Sequence, residues 1–179
     1  MYVDPDPECH EDRWGAARST AVGATAALAV GGAYVATYGL AQYLSYADAL
    51  PAGELLQFAV IAAVFVGHEA VHAIAYATVG RCSWDEIRVE AGIEFGEGLD
   101  PIHHSVHPTR PVPRTAYWLC LAAPTLLLGV VPAAVGLVTG SALATFVGIV
   151  GLLLVGTDVD PAVTAWRYPE RVAVPAPSG

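Results

Sequence analysis

The chain contains no lysine and a single methionine, and charge of either sign is sparse, at 14% of its 179 residues. All eight basic residues are arginines, set against 17 aspartates and glutamates, for a formal net charge of −9. No basic patch is available to neutralise phosphates, so nucleic acid is excluded as an expected partner. Cysteine is scarce as well. Cys9, Cys82 and Cys120 are odd in number and show no CxxC spacing, which excludes a disulfide framework and a zinc ribbon. Cys120 lies in an apolar run and reads as a small core residue. A secretory signal is not expected either: the first twelve residues are acidic, and the first apolar stretch is longer than a signal-peptide core.

Apolar residues are what the chain has in excess. They make up 55% of the sequence and give a mean hydropathy of +0.50, far above a soluble domain, so an integral membrane protein with the lipid bilayer as its surroundings is expected. Four apolar stretches, at residues 19–46, 54–79, 117–138 and 142–155, read as helices. Gly23, Gly31, Gly32 and Gly39 in the first would admit a neighbouring helix closely. Pro51, Ala52 and Gly53 mark a turn, and Gly80 a helix stop. Pro124 and Pro132 predict a kink in the third helix. The long polar segment, 81–114, alternates apolar and polar residues over 86–95, the period of a strand or of a hairpin bent at Gly92; Glu90, Glu94 and Glu97 would line its solvated face. Prolines 101, 108, 111 and 113 predict irregular chain for the remainder.

The fold class expected is therefore an all-α membrane protein of four transmembrane helices, with a short β-hairpin or strand in the cytoplasmic loop between helices 2 and 3. Its single domain would cover 19–171, between a polar tail at 1–18 and a Pro-, Ala- and Val-rich tail at 172–179 expected to be disordered. Arg13 and Arg18 precede the first helix, Arg81, Arg88, Arg110 and Arg114 lie between the second and third, and Arg167 and Arg171 follow the fourth. All eight fall on one side of a four-span chain. By the positive-inside rule the long loop and both termini are then cytoplasmic, in a multi-pass protein of the cell membrane.

Chemistry concentrates in the second helix, where His68-Glu69-Ala70-Val71-His72 matches the H-E-x-x-H pattern of zinc hydrolases. Histidines four apart on a helix lie about 40° apart around its axis, so both imidazoles can reach one ion. Glu69 beside them is placed to take a proton from water that such an ion activates. Ionisable side chains in a membrane helix are costly and mark function. The plain alternative is a buried polar stripe satisfied by neighbouring helices, but two histidines and a glutamate on one membrane helix need a partner that a metal ion supplies best.

A catalytic zinc site takes three protein ligands and keeps one position open, so a third ligand is required. Helices two and four both start on the outer side, near Glu54 and Ser141. Ala70 lies sixteen residues beyond Glu54 and Asp158 seventeen beyond Ser141, about 24 to 26 Å inward at 1.5 Å per residue. Asp158 is therefore the expected third ligand. Asp160 would face another side of a continuing helix, and whether it replaces or assists Asp158 stays open. His103, His104 and His107 form the spacing HHxxH of membrane di-iron enzymes, which need about eight histidines where this chain has six; they read as loop histidines, with a role at the mouth of the site left open.

These residues together resemble a known group. HEAVH in a membrane helix, Ala122-Ala123-Pro124 in the next, and Asp158-Val159 some ten residues ahead of Tyr168-Pro169 are similar to the small zincin metallopeptidases of membranes, akin to site-2-protease-type intramembrane zinc metalloproteases, over residues 54–169. The resemblance implies zinc as cofactor, His68, His72 and Asp158 as metal ligands, Glu69 as the catalytic base, and a membrane protein or peptide as substrate. The activity it implies is hydrolysis of peptide bonds by an intramembrane endopeptidase. The alternative is a non-catalytic membrane metal-binding protein, serving structure, sensing or transport.

Overall fold

The apolar stretches fold as helices because, away from water, a helix satisfies every backbone N–H and C=O within its own segment. The computed structural model describes residues 13–48, 53–93, 102–167 and 171–172. Among them four helical spans are long and apolar enough to cross a membrane: Thr20–Tyr38, Glu54–Thr78, Arg114–Thr139 and Ala142–Val159. Leu28, Leu55, Phe58, Val66 and Val138 stand more than two-thirds exposed on the outside of the bundle, the pattern of side chains meeting lipid.

Several boundaries differ from those read in the sequence. Helix α1 covers Arg13–Tyr38, starting ahead of Ser19, and the stretch expected to continue it forms a separate helix, α2, at Leu40–Asp48. The break falls at Gly39, whose φ of +90° is open to glycine and strained for other residues. Helix α3 covers Gly53–Thr78. The third span is α4 (Arg114–Pro124), a π-helical segment (Thr125–Val130) and α5 (Val131–Thr139), so the irregularity that follows Pro124 is a widened turn. Helix α6 covers Ala142–Arg167 and runs through Gly156 and Pro161, where the sequence predicted its end. Pro161 costs it one hydrogen bond, which a membrane helix tolerates. Asp158 and Asp160 thus lie within a continuous helix.

Helix α6 is the central element, packed against α1, α3, α4, α5 and the π segment. Small residues permit this. A Cβ on Gly23 would come within 2.6 Å of the Leu153 carbonyl oxygen, one on Gly148 within 2.5 Å of the Ala133 nitrogen, and one on Gly151 would sit on the Leu128 carbonyl. Of the four glycines read as packing positions in the first span, Gly23 alone makes such a close approach; Gly31 meets Ile149 at an ordinary 3.4 Å, Gly32 and Gly39 have no such neighbour within 4 Å. Gly151→Ala is expected to destabilise the bundle by about 1–3 kcal/mol through overpacking against the π segment, measured as a lowered melting temperature in detergent.

Polar groups close the two ends. At one end the Tyr34 hydroxyl donates to the Gly140 carbonyl at 2.6 Å, Tyr38 to Leu137 at 2.7 Å and Gln42 to Gly140 at 3.1 Å, fastening the first span to the turn between the third and fourth. At the other, Arg114 donates to the Trp166 carbonyl at 3.2 Å and lies 5.6 Å from its ring centroid. Arg110 pairs with Glu86 at 2.9 Å and donates to the carbonyls of Gly80 and Arg81, pinning the end of α3 to the loop. The Ser83 backbone N–H, donating to the Glu86 carboxylate at 2.9 Å, holds that group below its ordinary pKa, and Arg110 adds to the effect.

The polar segment holds an antiparallel pair, β1 (Ile87–Ile93) and β2 (Ile102–Pro108), in register from Ile87 opposite Pro108 to Ile93 opposite Ile102. The alternation over 86–95 is the strand it was read as, and β1 continues through Gly92 without a bend into a hairpin. Residues 102–108, expected to be irregular, are a second strand; its last residue is Pro108, so the missing N–H falls at the end of the ladder. Val106 of β2 packs into the cluster of Ala75, Tyr76, Tyr117, Cys120 and Leu121, which seats the sheet against α3 and α4. Val112–Pro113 (β3) pairs with Arg171–Val172 (β4), so Val172 belongs to the fold. Cys9 and the rest of 1–12, Pro51 and Ala52, Glu94 and Glu97, Tyr168 and Pro169, and 173–179 lie outside the described residues, as does the Glu90 side chain.

Candidate metal centre

His68 and His72 stand one turn apart on α3, 1% and 5% exposed. Their rings cross at 80° with centroids 4.8 Å apart, which brings the two Nε2 atoms to 3.2 Å. Helix α6 delivers Asp158 to the same point: its Oδ1 lies 3.0 Å from His72 Nε2 and its Oδ2 3.4 Å from His68 Nε2. Among the described residues, these three are the group of metal-ligand type that comes together.

The chemistry of this donor set fits a divalent cation. The His72 Nδ1 lies 3.0 Å from the Cys120 carbonyl oxygen, which can only accept, so Nδ1 carries the proton and the Nε2 of a neutral ring presents a lone pair. That lone pair faces a carboxylate oxygen and a second imidazole nitrogen. Three electron-rich atoms then converge on one buried point, an arrangement that is costly unless a positive charge occupies it. The separations also suit an ion: atoms bound tetrahedrally at about 2.0–2.1 Å lie roughly 3.3 Å from one another. Asp158 Oδ2 and His68 Nδ1 are buried without a hydrogen-bond partner among the described residues, the first pointing into the cluster. Zinc, which takes nitrogen and oxygen ligands in this geometry, matches the set.

Glu69 follows His68 on α3, about 100° around the helix, and is half-buried. Asp160 lies two residues beyond Asp158 on α6, about 200° around it, and its side chain is outside the described residues. His103, His104 and His107 are on β2, with His107 half-buried opposite Arg88; the side chains of His103 and His104 are outside the described residues, and His107 is not part of the cluster.

The family follows from the stretch that carries all of this. Residues 60–173 match the family model described as Putative zincin peptidase, and they include His68, Glu69, His72 and Asp158. The chain belongs to that family. Neither a curated protein nor a solved structure matches it. Membership supports a metallopeptidase of zincin type and implies zinc as its metal.

Two features around the histidines were not read in the sequence. One is the Cys120 carbonyl that holds His72. The other is an aromatic wall: Tyr76 stacks on the His72 ring at 6.4 Å and Tyr117 lies 6.1 Å from Tyr76, both rings buried. Tyr76 is four residues after His72, so helical spacing alone could have placed it on the same face.

Proposed function

We propose that this zincin peptidase is a zinc-dependent intramembrane endopeptidase that hydrolyses peptide bonds of membrane-associated substrates, related in mechanism to the site-2-type metalloproteases. The observation that carries the reading is the convergence of His68, His72 and Asp158, from two membrane-spanning helices, beside a glutamate that has no place in a purely structural site. His68 and His72 would hold the metal through Nε2 and Asp158 through its carboxylate. Held by these three side chains, zinc would supply Lewis acidity at the scissile carbonyl and a water made nucleophilic at neutral pH. The Glu69 carboxylate accepts the proton of the attacking water and returns it to the departing amide nitrogen. The buried walls around the histidines exclude other water, which strengthens every charge interaction at the reacting bond.

The placement of the arginines supports a site near the cytoplasmic face. Arg110 and Arg114 fasten the end of the bundle at which α3 and α6 finish, and α1 begins at that end, since its far end is held at Gly140. His68, His72 and Asp158 lie toward it. Both termini and the strand-bearing loop are then cytoplasmic.

The test is metal removal. The purified chain in detergent should carry about one zinc and cleave a membrane-spanning reporter peptide; chelation should abolish cleavage, and added zinc should restore it. A chain that keeps its zinc and cleaves none of a panel of such peptides would favour the non-catalytic reading.

A further inference from the structure

The carbonyl that orients His72 is available because of a proline. In an α-helix the C=O of residue 120 accepts from the N–H of residue 124. That residue is Pro124, which has no N–H, and the next backbone N–H, of Thr125, bonds instead to the Ala122 carbonyl. The Cys120 oxygen, buried with the rest of its residue, is thereby left for the imidazole of another helix, and His72 Nδ1 lies 3.0 Å from it. Pro124 itself is fully buried. We infer that Pro124 is a positioning residue for the metal centre: by withholding a backbone N–H it releases the Cys120 carbonyl to fix the Nδ1–H tautomer and the orientation of His72.

The arrangement accounts for more than a bend. A buried carbonyl without a partner is costly, and so is a buried imidazole N–H without one; each removes the other's penalty. With Nδ1–H engaged, the Nε2 lone pair is directed at His68 and Asp158, as a ligand histidine requires. An ordinary residue at 124 would place its N–H in competition for the same oxygen. His72 could then rotate or take the other tautomer, and its Nε2 would no longer be held as a ligand.

The inference rests on His72 being a zinc ligand, and the experiment separates the two. Zinc dissociation constants are measured by competition with a chromophoric chelator for the wild-type chain, for Pro124→Ala, and for a chain carrying the α-hydroxy analogue of alanine at 124. That analogue lacks both the ring and the N–H. Pro124→Ala should weaken zinc binding about tenfold or more, in the range found for losses of outer-shell partners. The ester should bind within about threefold of wild type. In the metal-free chain the His72 Nδ1–H signal in nitrogen–proton NMR should be slow to exchange in wild type and ester, and lost in the alanine variant. Equal affinity in wild type and Pro124→Ala overturns the inference while leaving the zinc site intact. An ester as weak as alanine assigns the effect to the ring and overturns it too. Should the alanine variant fail to fold, the ester decides alone by the same criterion. A wild-type chain without zinc affinity sinks both readings.

Discussion

Glu69→Gln is expected to keep zinc at wild-type stoichiometry and to lower kcat by about 10²–10⁴-fold. The amide is nearly isosteric with the carboxylate, and Glu69 is not among the three side chains that converge, so metal affinity should change by no more than about twofold. What the substitution removes is the ability to take a proton: an amide nitrogen is a donor, and an amide oxygen is a very poor base. A positioned general base contributes about 10²–10⁴ in rate, which is roughly 2.7–5.4 kcal/mol of barrier. Because the proton moves only as the peptide bond is attacked, the loss belongs in kcat, with KM little altered. Zinc content and single-turnover cleavage of the same reporter peptide, measured on one preparation, check both halves. A variant that cleaves at the wild-type rate would remove Glu69 from the mechanism, and one that loses its metal would make it a ligand.

Part of this architecture was legible in the sequence and part was not, for physical reasons that differ by residue. The four spans could be read because apolar length is a strong constraint in a bilayer. The nearness of Asp158 to the histidine pair could be read because two helices entering from one side advance equally per residue. The division of the first span at Gly39 could not, since glycine serves in membrane helices as a packing position as well as a break; Gly23, in the same helix, is the former. The end of α6 was misplaced because Gly156 and Pro161 are stop signals in water, where a broken helix is resolvated, and weak ones where continuing is the way to satisfy the backbone. Strand β2 was hidden by its flanking prolines. Its partner β1 showed the period of two, but the pairing depends on a register that only the folded chain supplies. Finally, Pro124 could be read as a kink, whereas the bond from His72 to the carbonyl it frees required knowing that α3 and α4 are neighbours.

Asp158→Ala should move stability in opposite directions with and without metal, which makes it the sharper test of the centre. With zinc supplied, the variant loses one of three ligands. Removing an outer-shell partner already costs 10–100-fold in metal affinity, so loss of a direct ligand should exceed about a hundredfold. The stability gained from zinc should fall in step, since a ligand binding the folded state alone stabilises it by RT ln(1 + [L]/Kd), about 1.4 kcal/mol for each tenfold. In the metal-free chain the sign reverses. There the Asp158 carboxylate, 14% exposed, has its Oδ1 against an imidazole nitrogen and its Oδ2 without a hydrogen-bond partner among the described residues. Replacing it removes a poorly compensated buried charge, and the two Nε2 atoms, 3.2 Å apart, can then share one proton between a donor and an acceptor ring. The metal-free variant should therefore melt at or above the metal-free wild type, while the zinc-saturated wild type melts well above the variant at the same zinc concentration. Asp160→Ala is the control, expected to bind zinc within about threefold of wild type because that residue lies about 200° around α6 from Asp158. Melting curves of the three chains in one detergent, with zinc and with chelator, decide the matter: a lowered melting point for metal-free Asp158→Ala would make Asp158 a structural partner of the histidines, and zinc loss confined to Asp160→Ala would transfer the ligand two residues along the helix.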